Sequence, residues 1–134
     1  MAARSKARKR AVDVLYEADL RGSDPVDLLR ERIADESPVV PDHAVRLVEG
    51  VAEHAARIDE LIDRHAHGWT LRRLPDVDRA ILRMATFELL WVDDVPDAVV
   101  IDEAVELAKA LSTDDSPAFV NGVLGGIIDA EIPT

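Results

Sequence analysis

The sequence predicts an all-α fold, a compact helical bundle of six to seven helices. Three observations carry that reading. Apolar residues recur at helical spacing along nearly the whole chain. Asp-Pro, Ser-Pro and glycine signals fall at the ends of the periodic stretches. No stretch shows convincing strand alternation, and the one β-branched run, Val99-Val100-Ile101, continues at helical spacing.

The elements follow in order. Ala7, Ala11, Val14, Leu15 and Ala18 share one face of a first helix, which Gly22 stops. Asp24-Pro25 starts a second, with a modest stripe of Leu28, Leu29 and Ile33. Ser37-Pro38 and Pro41 break the chain. Pro41-Asp42 then opens the longest expected helix, to about His67, with a stripe from Ala44 through Leu47, Val48, Val51, Ala55, Ile58 and Leu61 to Ile62. Gly68 is its expected C-cap. Trp69 to Leu74 has room for a turn or one helical turn. Pro75-Asp76 starts a helix carrying Val77, Ile81, Met84, Ala85 and Leu89. Asp94 to Asp97 punctuates, and Val100, Ile101, Ala104, Val105, Ala108 and Leu111 mark the next helix. Ser116, as N-cap ahead of Pro117, starts the last, with Val120, Val123, Leu124, Ile127 and Ile128; Pro133 lies beyond its end.

With 134 residues the chain is expected to form a single domain over residues 1–134. Hydrophobic residues at 48 % and charged residues at 32 % argue against disorder and against a membrane protein. No apolar run approaches the roughly 18 residues of a membrane span, and the start has no apolar stretch typical of a secretory signal. A cysteine count of zero excludes a disulfide framework, a thiolate metal site and a cysteine nucleophile. A soluble, cytoplasmic protein is expected.

The net charge of −11 hides a gradient. Residues 1–10 hold five bases and no acid, residues 11–83 ten bases and 16 acids, and residues 84–134 one base against 11 acids. A basic end on an acidic body suggests a nucleic-acid arm, or an exposed, solubilising N-terminus. The acidic body suggests a basic partner, or solubility alone.

Catalytic and metal readings find little support. His43, His54 and His65 recur every 11 residues on one flank of the expected long helix. Successive members would lie roughly 16 Å apart, too far to share a metal, so they read as ordinary surface histidines. Asp102, Glu103 and Glu106 read as a solvated face, with Lys109 supporting Glu106 at i+3, rather than as a carboxylate pair. Gly125-Gly126 follows no strand and matches no phosphate loop. No cofactor and no catalytic residue is expected, and an enzyme is disfavoured.

The first helix is more informative. Lys6, Lys9 and Arg10 fall away from its apolar face, whereas Arg4 and Arg8 lie nearer that face's line. Tyr16 points to the side of Lys9. Bases that neutralise phosphate beside a ring that stacks suit single-stranded RNA; a solvated arm with Tyr16 packed against a second helix is the other reading.

Several strings together resemble one family. They are Arg8-Lys9-Arg10-Ala11-Val12 with Leu15-Tyr16; Trp69 with Leu74; Val77 through Arg83 with Glu88-Leu89; and Val95-Pro96. Two more are Ile101-Asp102-Glu103-Ala104-Val105-Glu106-Leu107-Ala108-Lys109, and Asp115-Ser116 with Phe119-Val120-Asn121-Gly122-Val123-Leu124. The chain resembles the bacterial transcription antitermination factor NusB family over most of its length, least over residues 23–68. The resemblance implies two three-helix subdomains. It also implies binding of boxA sequences in ribosomal RNA transcripts, with NusE, the small-subunit ribosomal protein S-ten, as partner in an RNA polymerase antitermination complex. It places RNA contacts on Arg4, Lys6, Arg8, Lys9, Arg10 and Tyr16, and on Asp115 and Phe119 at the start of the last helix. It places the protein-partner surface on the helix of Asp78 and Arg83. Ser5 stands where some relatives have a further arginine. Two other readings remain open. One is a protein adaptor or homodimer whose basic arm is buried. The other is an RNA methyltransferase with a NusB-like leading domain, which the short tail after Ile128 disfavours.

Overall fold

Seven α-helices and one 3₁₀ turn account for the regular structure in the computed structural model, which describes residues 3–35 and 38–131. No strand occurs among the described residues. The expected break at Ser37 and the tail at Pro133 lie outside them.

Helix α1 spans Ala3–Arg21 and buries the predicted face, together with Val12 and Arg8. Gly22, at φ +63°, ends it. The Ser23 and Gly22 amides donate to the Ala18 and Asp19 carbonyls at 2.9 and 3.3 Å, the two bonds of a Schellman motif. The Asp24 carboxylate accepts from the Val26 amide at 2.7 Å and starts α2, Pro25–Asp35. Leu28 and Leu29 are buried there, but Ile33 stays 45 % exposed at the end of the stripe.

The expected longest helix is two helices, α3 (Asp42–Glu53) and α4 (Ala55–His65). His54 departs from helical geometry at φ −108° and ψ 20°. Its ring stacks on Trp91 at 4.1 Å and on Phe87 at 6.0 Å. The bend lets one continuous stripe face two sets of partners: α3 packs on α1, α2 and α5, and α4 on α5 and α7. Gly68, at φ +83°, sits in the turn beyond α4 rather than at its cap. Leu71–Arg73 forms the 3₁₀ turn, and Leu74 is buried after it.

Helix α5, Asp76–Trp91, is the centre of the molecule, with ten buried residues from Asp78 to Leu89. It packs on α1, α3, α4, α6 and α7. Helices α6 (Asp97–Leu111) and α7 (Ser116–Glu131) complete the bundle; the Val99–Ile101 run is part of α6. Helices α1, α2 and α3 pack mutually and so do α5, α6 and α7, the two expected sets of three, with α4 added against α5 and α7 because the long helix divides. Their buried side chains form one continuous cluster.

The three histidines are not simple surface groups. His43 contacts the Glu88 carboxylate at 2.9 Å, His54 joins the aromatic stack, and His65 lies against Gly126 on α7.

Candidate nucleic-acid interface

Helices α1 and α5 run antiparallel, as two ion pairs show: Arg8 on Glu88, and Asp19 on Arg79. The basic N-terminal turns of α1 therefore lie beside the C-terminal end of α5. Its other end lies beside the 3₁₀ turn and the start of α5.

The five bases of residues 1–10 have different fates. Arg8 is not a surface cation: its side chain is 3 % exposed and grips fully buried Glu88 through Nε at 2.7 Å and Nη2 at 2.9 Å. Its Nη1 reaches Glu103 at 3.3 Å, and the Ser5 hydroxyl also donates to Glu103. Glu103 thus belongs to this inner network and not to a solvated face. Exposed Glu106 is paired with Lys109 at 3.2 Å as expected. Arg4 reaches Asp94 at 3.1 Å, and the Arg4 guanidinium holds that carboxyl below its ordinary range. Lys9 pairs with Asp13 at 3.1 Å across an exposed i,i+4 step. Such pairs contribute about 0–1 kcal/mol and exchange readily. Lys6 is exposed and Arg10 half-buried, and neither has an ion-pair partner among the described residues. The Arg10 Nε is shielded without an acceptor. Tyr16 is half-buried, its ring packed against the core.

Asp115 and Phe119 lie near the opposite end of α5. The Asp115 carbonyl accepts the first helical bond of α7, from the Phe119 amide at 3.2 Å, so Asp115 itself holds the cap position. Ser116 is the first helical residue and not the N-cap. Its hydroxyl donates to Asp78 at 2.9 Å, while the Ser112 hydroxyl donates to the other Asp78 oxygen at 2.6 Å. Asp78 is 2 % exposed, so its carboxylate is withdrawn from the surface on which a partner role was expected. Arg83, 22 % exposed, is held by Asp59 at 2.8 Å. Burial works against the Arg79 charge, but Asp19 and Asp76 outweigh it and raise the guanidinium further.

Asp115 is exposed, and Phe119, half-buried, borders a cleft of 420 Å³ with Trp69, Leu74 and Pro75. Trp69 and the exposed Arg72 and Arg73 were not singled out as site residues on sequence grounds. A tryptophan beside two arginines in a short linker was the available signal. The structure therefore yields two separate stretches, one toward each end of the α1–α5 pair, not one pocket.

The NusB family model matches residues 5–129. The transcription antitermination protein NusB of Saccharopolyspora erythraea is 67 % identical over 129 residues, covering 95 % of this chain and 87 % of the relative. Among solved structures, T. maritima NusB superposes with a TM-score of 0.87 at 38 % identity, covering 98 % of this chain and 94 % of that one. NusB in a complex of antitermination factors NusB and NusE with dsRNA gives 0.83 at 33 % identity, covering 95 % and 96 %. NusB proteins are antitermination factors rather than enzymes, which sets the catalytic readings aside. The helices, the length of the match and these identities place the chain in the NusB family of transcription antitermination proteins.

Proposed function

We propose that the chain acts as a single RNA-binding domain in the cytoplasm. It binds boxA-containing single-stranded RNA of ribosomal transcripts together with NusE, within an antitermination complex on RNA polymerase. The observation that carries this reading is the outward face of α1. Lys6 and Arg10 present charge without an acceptor, and Tyr16 shares their helix, in a protein of net charge −11 whose other bases are mostly paired. A phosphate oxygen supplies the missing acceptor. That a relative was solved with NusE and dsRNA supports the same partners here. The acidic body suits a basic ribosomal protein. Of the five bases only Arg8 is fully buried, and inside its own bundle, which supports a free arm over the alternative in which the arm is buried.

Titration of boxA RNA at several salt concentrations tests the reading. Arg10→Ala should lower the slope of log K against log salt by roughly 0.7. Tyr16→Ala should weaken binding by about 1–3 kcal/mol at every salt concentration, and Tyr16→Phe should retain it. A Lys6→Ala/Arg10→Ala variant with unchanged affinity and slope would remove α1 as the RNA arm.

A further inference from the structure

We propose that Asp94 is a built-in stand-in for an RNA phosphate. It occupies Arg4 and Arg46, which together form a phosphate seat that RNA fills by displacing the carboxylate. The inference rests on the RNA-binding reading above and adds a residue of α3 and a restraint to it.

Beside the C-terminal end of α5 one arrangement occurs twice. An arginine from α1 and a base from α3 meet on one carboxylate. In the inner copy Arg8 and His43 meet on Glu88, at 2.7 and 2.9 Å. In the outer copy Arg4 and Arg46 meet on Asp94, at 3.1 and 3.9 Å. Arg4 stands one turn from Arg8 on α1, and Arg46 one turn from His43 on α3, so the same two helix faces build both copies. Asp94 itself lies in the turn between α5 and α6.

The two copies differ in water and in charge. Arg8, Glu88 and His43 are 3 %, 0 % and 9 % exposed, whereas Arg4, Arg46 and Asp94 are 44 %, 49 % and 59 % exposed. The inner copy is dry and fixed. The outer one is open to exchange, because exposed pairs are weak and the Arg46 contact is longer than a hydrogen bond. Inside, two carboxylates, Glu88 and Glu103, answer Arg8. Outside, two guanidinium groups share one carboxylate, and this excess of positive charge favours a further anion. Arg4 and Arg46 face different oxygens of Asp94, as two arginines would face the two free oxygens of a phosphodiester. While Asp94 holds them, the fraction of the chain ready for that phosphate falls, and the apparent RNA affinity falls with it.

The test uses the full chain and a boxA RNA, titrated at several salt concentrations. Asp94→Asn keeps the size and removes the charge. It should tighten binding roughly twofold to fivefold and steepen the salt slope by up to about 0.7. Arg46→Ala, on the exposed side of α3, should flatten that slope. The control is Asp93→Asn. Asp93 is exposed, borders a hollow with Asp97 and Glu131, and should matter much less. In an Arg4→Ala/Arg46→Ala chain, Asp94→Asn should do no more than Asp93→Asn. Equal gains from Asp93→Asn and Asp94→Asn reduce the effect to net charge and overturn the proposal. An Asp94→Asn gain undiminished in the double-alanine chain overturns it, as does wild-type RNA affinity and slope in Asp94→Asn or in Arg46→Ala. A tighter grip of Asp94→Asn on NusE with unchanged RNA affinity also overturns it and makes the seat one for a protein carboxylate. Inorganic phosphate at matched ionic strength separates RNA from a free anion. If it shifts the Arg46 Nε–H resonance of Asp94→Asn as far as RNA does, the RNA assignment of the seat falls. If Lys6→Ala/Arg10→Ala weakens RNA binding and the Asp94 and Arg46 variants change nothing, only the stand-in falls. A wild-type chain that binds no RNA removes the RNA reading itself.

Discussion

Replacing Arg8 by alanine separates a structural cation from an RNA-binding one. Its guanidinium makes a bidentate contact with Glu88 in a place where the two side chains are 3 % and 0 % exposed. Removing one member of a buried pair leaves the other charged and desolvated, at a cost of about 3–5 kcal/mol. His43 remains on Glu88 at 2.9 Å and softens the loss, which puts the expectation near 3 kcal/mol. For a chain of this length each kcal/mol moves the melting midpoint by roughly 3–5 °C, so a fall of about 10–15 °C is expected. Urea unfolding followed by circular dichroism gives the free energy, and RNA titration below the transition gives the salt slope. Arg8→Lys keeps the charge but not the two-point contact, and should lie between alanine and wild type. Arg10→Ala is the counterpart: a small stability change and a flatter salt slope. If Arg8→Ala melts with the wild type and flattens the salt slope, Arg8 faces RNA in solution and the buried network is wrong.

Other expectations follow from the same packing. Gly50→Ala should destabilise by about 1–3 kcal/mol in urea, because the new methyl would lie 2.1–2.5 Å from three atoms of the Phe87 ring, which Trp91 and His54 hold in a stack. Asp115→Asn should modestly tighten RNA binding with an unchanged melting curve, since it removes an exposed negative charge at the cleft rim; weaker binding by a well-folded variant would refute that role. Hydrogen bonds from Arg32 and then Arg21 hold Glu17 below its ordinary pKa of 4.5. A lowered carboxyl contributes stability that is complete above the ordinary value and is lost as pH falls through the folded one. The melting difference between wild type and Glu17→Gln should therefore be constant above about pH 5 and shrink below pH 4.5. Association with NusE should weaken as salt rises, given one base against 11 acids after residue 83; calorimetry with salt-independent affinity would count against electrostatic docking.

Much of the fold was legible because its punctuation is local. Gly22, Asp24, Pro75 and Pro96 act through their own backbone and side-chain chemistry, and each marks a helix end as read. The division at His54 was not legible. The helical hydrogen bonds continue through it, from His54 to Gly50 and from Ile58 to His54, and the His54 ring stacks on residues more than thirty positions away. At the site, the family resemblance counts Arg8 with its basic neighbours although the helix face sets it apart from Lys6, Lys9 and Arg10. Two signals pointed inward: Arg8 lies near the line of the apolar face of α1, and Glu88 is an acid inside the apolar run of α5. Neither signal is decisive until the two helices are known to face each other. Asp78 was misplaced for the same reason, since its partners Ser112 and Ser116 lie at the end of α6 and the start of α7.

The double attachment of α1 to α5, through Arg8 near one end and Asp19 near the other, also sets the thermodynamics of recognition. A basic segment that winds up only on meeting RNA would spend about 2–5 kcal/mol on ordering and show a large negative heat-capacity change. This one is already helical and fastened before contact. Its binding heat capacity should reflect docked surface alone, nearly constant across arm variants, and its bases meet phosphates with their spacing set in advance.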